Sequence, residues 1–272
     1  MMARRRIVDE PTSRLAIWAR RLAMFAVVVA VLAIIIVRSG LVETGPGIAT
    51  FAAALILAAI GMVLAFGAAI VIWREGIGGF SYALLAVLVG VVLLAYPAYL
   101  GIKSRNLPTL ADVTTDTADP PRFEAVARLR PRSANSVAYG GTQSADLQRA
   151  AYPDIEPLEI AATPLDAYNA ALAVISKRKW RVVEARPPQT NRREGHIEAV
   201  ARTAIMGFRD DVVVRVRTVR NGARVDIRSA SRYGRHDYGT NAQRIRGLSE
   251  EIEETAAAAT PTTGRIQPAA RR

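Results

Sequence analysis

The residues able to do chemistry in this chain are few, and they gather late in it. There is no cysteine among the 272 residues, which excludes disulfides, thiolate metal sites and cysteine nucleophiles. The two histidines are His196 and His236. A zinc site would need both of them plus carboxylates, and their spacing fits no common ligand pattern, so no metal and no cofactor is expected. His236-Asp237 has the composition of an acid–base pair, but such work needs mutual geometry. In a glycine-rich turn, Asp237 instead has backbone N–H groups to accept from. Asp210-Asp211 lies in a strand pattern, where neighbours point to opposite faces and do not converge. Ser231 sits in no nucleophile-elbow motif, and no glycine-rich strand–helix loop of nucleotide-binding type is present. The best ligand-binding candidates are Arg232, Asp237 and Asn241. They span a strand end, a glycine-rich turn and a helix start, where free N–H groups and a positive dipole suit an anion. Arg232 would add a bidentate contact and Asp237 would orient it. The structural alternative pairs Arg232 with Asp211 and Asp237. No catalytic residue is assigned.

The elements that position these residues are legible around Met206–Asn241. Two alternating, β-branched runs flank Asn221-Gly222, a strong hairpin signal because a type I′ turn needs φ > 0 at both central residues. That turn predicts a register in which Arg220 faces Ala223, Arg217 faces Asp226 and Asp211 faces Arg232. One face then carries Val212, Val214, Val216 and Thr218 against Ser231, Ser229, Ile227 and Val225. A one-residue slip would expose this apolar set, so burial decides the pairing. The other face carries Arg215, Arg217, Arg224, Arg228 and Arg232, a basic stripe that either binds anions or is solvated. Thr240 and Gln243 fit a capping box, and Ile245, Leu248 and Ile252 share one face of the helix that follows. Upstream, Thr163-Pro164-Leu165-Asp166 is a helix start. Strands are predicted at about 180–185 and 196–203.

Several of these stretches resemble one known family. They are Ser231-Arg232-Tyr233-Gly234-Arg235-His236-Asp237-Tyr238-Gly239-Thr240-Asn241, Met206-Gly207-Phe208-Arg209-Asp210-Asp211 and Asp119-Pro120-Pro121-Arg122-Phe123. Tyr152-Pro153-Asp154-Ile155 and the segment from Asp166 to Trp180 complete the set. Together they resemble an uncharacterised bacterial family, domain of unknown function 1499, over roughly Asp112 to Glu254. The resemblance implies a domain and no mechanism.

The first hundred residues read differently. Apolar runs at Leu22–Val37, Ile48–Trp73 and about Phe80–Leu100 predict three transmembrane helices. A cleaved signal peptide is disfavoured, because no small-x-small site follows Val37 and two more spans come next. No ionisable residue lies inside the spans, which argues against a pump or channel. Arg4, Arg5, Arg6, Arg14, Arg20 and Arg21 precede the first span, and the net charge of the chain is +12. The positive-inside rule then places the N-terminus in the cytoplasm and the C-terminal domain in the periplasm.

The expected architecture is α+β: three transmembrane helices, then a helix, four antiparallel strands and a helix. The boundaries are a basic N-terminus at 1–21, helices at 22–100, a linker at 101–118, a periplasmic domain at 119–255 and a disordered tail at 256–272. The segment 103–162 has little periodicity, and its later part is read as lying on the domain. The function read from this is an inner-membrane-anchored binding or envelope-assembly module. Its candidate partners are the lipid bilayer, an anionic lipid or envelope polymer, and a membrane protein. A periplasmic domain excludes nucleic acid. The competing reading is an envelope hydrolase using Asp237, His236 and Arg232.

Overall fold

The computed structural model describes residues 11–41, 44–189 and 194–259. Arg4, Arg5 and Arg6 and the tail beyond residue 259 lie outside them. The chain divides into two compact units, the helices through Arg105, with which Ile205–Gly207 are grouped, and the domain that begins at Asn106.

The first unit contains α1 (Arg14–Ser39), α2 (Thr44–Glu75) and α3 (Phe80–Ser104). All three are long and apolar enough to cross a membrane. Their packing surfaces are made of small residues. In α1 the buried positions are Ala16, Ala19, Ala23, Ala26, Ala30, Ala33 and Val37, alternating steps of three and four. That repeat keeps one seam facing its neighbours and lets backbones approach closely. A Cβ added at Gly61 of α2 would lie 3.4 Å from the Ala19 carbonyl oxygen. Large side chains such as Phe25, Val63 and Phe66 face outward. The Ser13 N–H donates to the Gly78 carbonyl at 2.9 Å, and the Gly78 N–H to that of Pro11 at 2.9 Å. The N-terminal segment and the α2–α3 turn therefore share one end of the bundle.

The second unit is an α+β domain built on a six-stranded sheet. In chain order it runs β1 (Asp112–Thr114), α4 (Ala125–Leu129), α5 (Gly141–Ala151), β2 (Leu158–Ile160), α6 (Pro164–Lys177), β3 (Arg181–Arg186), β4 (Glu194–Arg202), β5 (Arg209–Val219), β6 (Gly222–Ser231) and α7 (Thr240–Ala259). The predicted helix, four antiparallel strands and helix are all present. Two short strands add to them: β1 and β2 both pair antiparallel with β6, along one edge. β1 falls inside the stretch expected to be linker, and α7 continues to Ala259, past the expected start of the tail. Gln148 of α5 closes β1 from outside. Its amide donates to the Thr114 carbonyl at 2.6 Å and accepts from the Thr114 N–H at 3.0 Å, as a further strand would. The opposite edge, β3, carries Arg181, Glu184 and Arg186 and a register shift between Val182 and Glu184, features that discourage edge pairing.

Period-two alternation divides the sheet into two faces. On one, Val212, Val214, Val216, Val225, Ile227, Ile197 and Ala199 meet α6 and α7 in the main core. On the other, Val213, Val200 and Ala230 meet Phe123 and Val126 in a smaller one. The apolar face of the hairpin is the predicted one, but the register is not. Thr218 pairs with Ala223, Arg217 with Arg224, Arg215 with Asp226 and Asp211 with Ala230. The turn residues are Arg220-Asn221, and Gly222 already belongs to β6. The shift amounts to two residues, so it preserves which side chains are inside. Its cause is β2. Gly222 has φ +142, and a Cβ there would lie 2.1 Å from the Ile160 carbonyl oxygen. The glycine lets β2 lie against the hairpin, where a type I′ turn would have used it for the bend.

Candidate functional site

The arginine-bearing face of the sheet is covered. After β1 the chain crosses it as a strap, through Asp116, Asp119 and Phe123 to α4 and on to Val137. Each strap carboxylate takes a guanidinium. Arg215 reaches Asp119 at 2.9 Å and Asp226 at 3.0 Å. Arg217 reaches Asp226 at 2.7 Å and Asp116 at 3.3 Å. Arg224 bonds Asp116 at 2.7 Å and Asp226 at 2.8 Å. Arg228 forks onto Asp112 at 2.7 and 3.0 Å and donates to the carbonyls of Pro121 and Val137. Its guanidinium also lies 4.6 Å from the centre of the Phe123 ring, a cation–π contact. Asp226 and Asp211 are fully buried, so these pairs operate where water screens them little. Burial works against the charge of Asp116, yet the Asp119 N–H and the Arg224 guanidinium outweigh it and hold its carboxyl below the usual range. The predicted basic stripe is therefore internally neutralised, with Arg215, Arg228 and Arg232 buried and Arg217 and Arg224 half-buried at its margin.

The end of the strap is fixed by a residue that the sequence reading passed over. Glu198 of β4 is fully buried. One carboxylate oxygen accepts the N–H groups of Glu124 and Ala125 at 2.7 and 3.0 Å, and the other accepts that of Val126 at 2.8 Å. These are the orphan donors at the start of α4, capped by a side chain from the sheet. His196 Nε2 lies 2.8 Å from the same carboxylate. Burial raises the Glu198 pKa, but His196 and the three N–H donors prevail, so its carboxyl lies below the ordinary glutamate value. His196 can also place a ring nitrogen within 4.8 Å of carboxylate oxygens from Glu124 and Glu184. The Arg186 guanidinium already sits between those two, at 2.5 and 3.1 Å, in the place a cation would take.

Arg232, Asp237 and Asn241 lie at the β6–α7 corner, and all three are buried. Arg232 is 1% exposed. Its Nε and Nη2 fork onto Asp211 Oδ1 at 3.0 and 2.7 Å. Asp211 also accepts Arg130 Nε at 2.6 Å. The expected Asp211–Arg232 bridge is thus present, made diagonally across the shifted register. Asp237 does not join it. Its carboxylate accepts the N–H groups of Gly239 at 2.9 Å and Asn241 at 2.7 Å, so it caps α7 in place of the expected Thr240–Gln243 box. Tyr238 and Gly239 both take left-handed φ, 55° and 76°, which turns the chain so that Asp237 overhangs the first helical turn. His236 takes no part with Asp237. Its Nδ1 accepts the Tyr238 N–H at 2.9 Å, and its ring stacks on Tyr238.

Asn241 ties this corner to the sheet. Its side chain accepts from Ser229 Oγ at 2.7 Å and donates to Ser231 Oγ at 3.0 Å and the Ala111 carbonyl at 3.1 Å. Arg244 joins Asn241 to Asp210. Burial raises the Asp210 pKa against the opposing pull of Arg244 and Ser231. Beside the corner lies an open polar cleft of about 270 Å³, lined by Thr109–Asp112, Asn135, Ser136, Ala138, Gly140, Ser144, Ala230, Ser231, Gly234 and Arg235. None of the three predicted site residues lines it. They stand behind it instead: Asn241 holds Ser231, and the Arg232 carbonyl accepts the Asn135 N–H at 2.7 Å. The sequence did carry one signal for the strap, the acids Asp112, Asp116 and Asp119 upstream of an arginine-rich hairpin, but nothing in it marked Glu198.

Glu198 gives a test with a definite sign. Its folded pKa is depressed below the ordinary glutamate value of about 4.5. Its charge therefore contributes stability at pH values above 4.5, and that contribution is lost as the pH falls through the folded value. Glu198→Gln sets an amide NH₂ against the N–H donors of α4. It should cost about 2 kcal/mol at pH 7, and the gap between variant and parent should narrow toward pH 3. Urea melts across that pH range would read both effects; a gap that stays constant with pH would rule out a charged Glu198 as the clamp.

A search of curated proteins found no match. A family model described as a protein of unknown function (DUF1499) matches residues 112–252, from the first residue of β1 to Ile252 of α7, and so takes in the strap, the arginine face, the Glu198 clamp and the β6–α7 corner. That match covers more than half of the chain, and the chain belongs to the DUF1499 family.

Proposed function

We propose that the protein is an inner-membrane-anchored binding or assembly module of the bacterial cell envelope, with its N-terminus in the cytoplasm and its α+β domain in the periplasm. The observation that carries the binding reading is the use made of the ionisable groups. His236, Asp237 and Arg232 each serve a turn, a helix cap or a buried ion pair, and no two of them share a hydrogen bond among the described residues. A hydrolase would need an acid and a base converging on open space; this arrangement supports a rigid scaffold presenting a surface. The open polar surface is the cleft beside the corner, with Asn135, Ser136, Ser231 and the exposed Arg235. In this reading Arg232, Asp237 and Asn241 are positioning residues that hold the cleft wall, and the ligand is an anionic lipid, an envelope polymer or an acidic segment of a membrane protein.

The orientation is supported by the bundle itself. The N-terminal segment and the α2–α3 turn share one end, and Arg14, Arg20, Arg21 and Arg74 lie towards that end, whereas Arg38, Lys103 and Arg105 lie towards the other. A periplasm-dependent reporter fused after Asp112 should be active and one fused at Arg74 silent; the reverse pattern would overturn the orientation and readmit nucleic acid as a partner. For the ligand, native mass spectrometry of the full chain released from membranes should show a bound anionic species. Arg235→Glu should remove that species without changing the melting temperature. Retention of the same ligand by Arg235→Glu would remove the cleft from consideration, and steady hydrolysis of an envelope ester by the wild type but not by His236→Ala would favour the enzyme.

A further inference from the structure

The first span is short for a bilayer. Its apolar run, Leu22–Val37, has sixteen residues between Arg21 and Arg38, about 24 Å of helix at 1.5 Å per residue. A hydrocarbon core is about 30 Å thick. A charged head at the edge of such a run has to be carried outward along the helix. Helical side chains lean towards the N-terminus, so the start of α1 is the end where this is easiest. Two aromatic rings hold the arginines there. The Arg21 guanidinium lies 5.4 Å from the centre of the Trp18 ring, one turn nearer the helix start. The Arg20 guanidinium lies 4.1 Å from the centre of the Tyr82 ring, in the first turn of α3.

These arginines share one side of α1. Arg14, Ile17 and Arg21 follow one another at i, i+3 and i+7, on one helical face, and Arg20 adjoins that face beside α3. Thr12 pairs with Gly78, and the Ser13 N–H donates to the Gly78 carbonyl at 2.9 Å, so the start of α1 is fastened to the turn that leads into α3. Arg14 and Arg21 are exposed and Arg20 is half-buried. Arg74 closes α2 at the same end. Glu75 is the one acid among the described residues of this unit, and none of the four arginines makes an ion pair among the described residues. Like charges about a turn apart oppose helix formation, and an anion from outside relieves that. The sheet arginines are answered by the fold's own carboxylates; these are not. Trp18 and Trp73 are exposed at this end, as aromatic rings are at the boundary of hydrocarbon and headgroups. Met24 and Phe25, one turn further in than Arg20 and Arg21, are exposed and apolar.

We infer that the α1–α3 seam at this end binds an anionic phospholipid, with its phosphate on Arg20, Arg21 and the Tyr82 hydroxyl and its acyl chains along Met24 and Phe25. The site lies wholly within the helical unit. It rests on the three helices crossing a bilayer, and it is independent of what the cleft binds and of which side of the membrane this end faces.

Trp18 provides a local reporter. With Trp73 and Trp180 replaced by phenylalanine, it is the last tryptophan of the three in the chain. The full chain is reconstituted into vesicles that mix phosphatidylglycerol and phosphatidylcholine, with one or the other brominated on its acyl chains near the headgroup. Brominated phosphatidylglycerol should quench Trp18 more than brominated phosphatidylcholine at the same mole fraction. Arg20→Gln and Arg21→Gln should each lower the preference for phosphatidylglycerol by about fivefold, and Arg20→Lys, which keeps the charge, should retain most of it. Lys103→Gln makes the same loss of charge at the other end of the bundle and should leave the preference unchanged, as should Arg235→Glu at the cleft. Equal quenching by the two lipids would overturn the inference, and so would a preference that Arg20→Gln and Arg21→Gln lower no more than Lys103→Gln does. Failure of the chain to enter the vesicles, with no quenching by either lipid, would remove the bilayer reading and this site with it.

Discussion

The domain depends on a buried layer of guanidinium–carboxylate contacts between the sheet and the strap. Arginines of β5 and β6 point away from the main core, where a two-layer α+β fold would leave them in water. Here the strap lies on them, and Asp112, Asp116, Asp119, Asp211 and Asp226 answer them in turn. Bringing such charges out of water costs several kcal/mol per ion, which only good geometry and saturated hydrogen bonding offset. The forked contacts of Arg228 and Arg232 meet that condition. The same term makes the layer intolerant of piecemeal loss, because removing one partner strands a buried charge, at about 3–5 kcal/mol. Phe123 and Val126 add apolar contact beneath the strap, and Glu198 pins its end.

That layer accounts for what was and was not legible in the sequence. Strand alternation gave the faces of β5 and β6, since a period of two leaves only two choices and burial selects one. The three apolar spans and the Thr163 helix cap were local patterns, and local patterns survive folding. The Thr163 hydroxyl indeed accepts the Asp166 N–H, at 3.1 Å. The register failed because two positions of the turn keep the same faces, and the choice between them was made by Ile160, a distant residue lying against Gly222. The Glu198 clamp was illegible for a similar reason: its donors are backbone groups of Glu124, Ala125 and Val126, and backbone has no sequence signature. For the same reason Asp237 as the cap of α7 could not be told from Asp237 as a ligand-orienting acid.

The functional consequence is a division of labour among arginines. Those of the sheet interior, Arg215, Arg228 and Arg232, are buried and paired with carboxylates of the fold. Arg235 beside the cleft is exposed and makes no ion pair among the described residues. Membership of the DUF1499 family brings no activity with it.

The central claim is that the strap is part of the folded core and not a removable cover. Hydrogen exchange of the full chain in detergent, resolved at individual amides, tests it most directly. The Ala125 and Val126 amides, held by Glu198, should be protected to within about tenfold of the Val213 and Val214 amides in β5, as expected for one cooperative unit. If the strap amides exchange about a thousandfold faster while β5 stays protected, the strap opens on its own, and the arginine face beneath it becomes a binding surface after all.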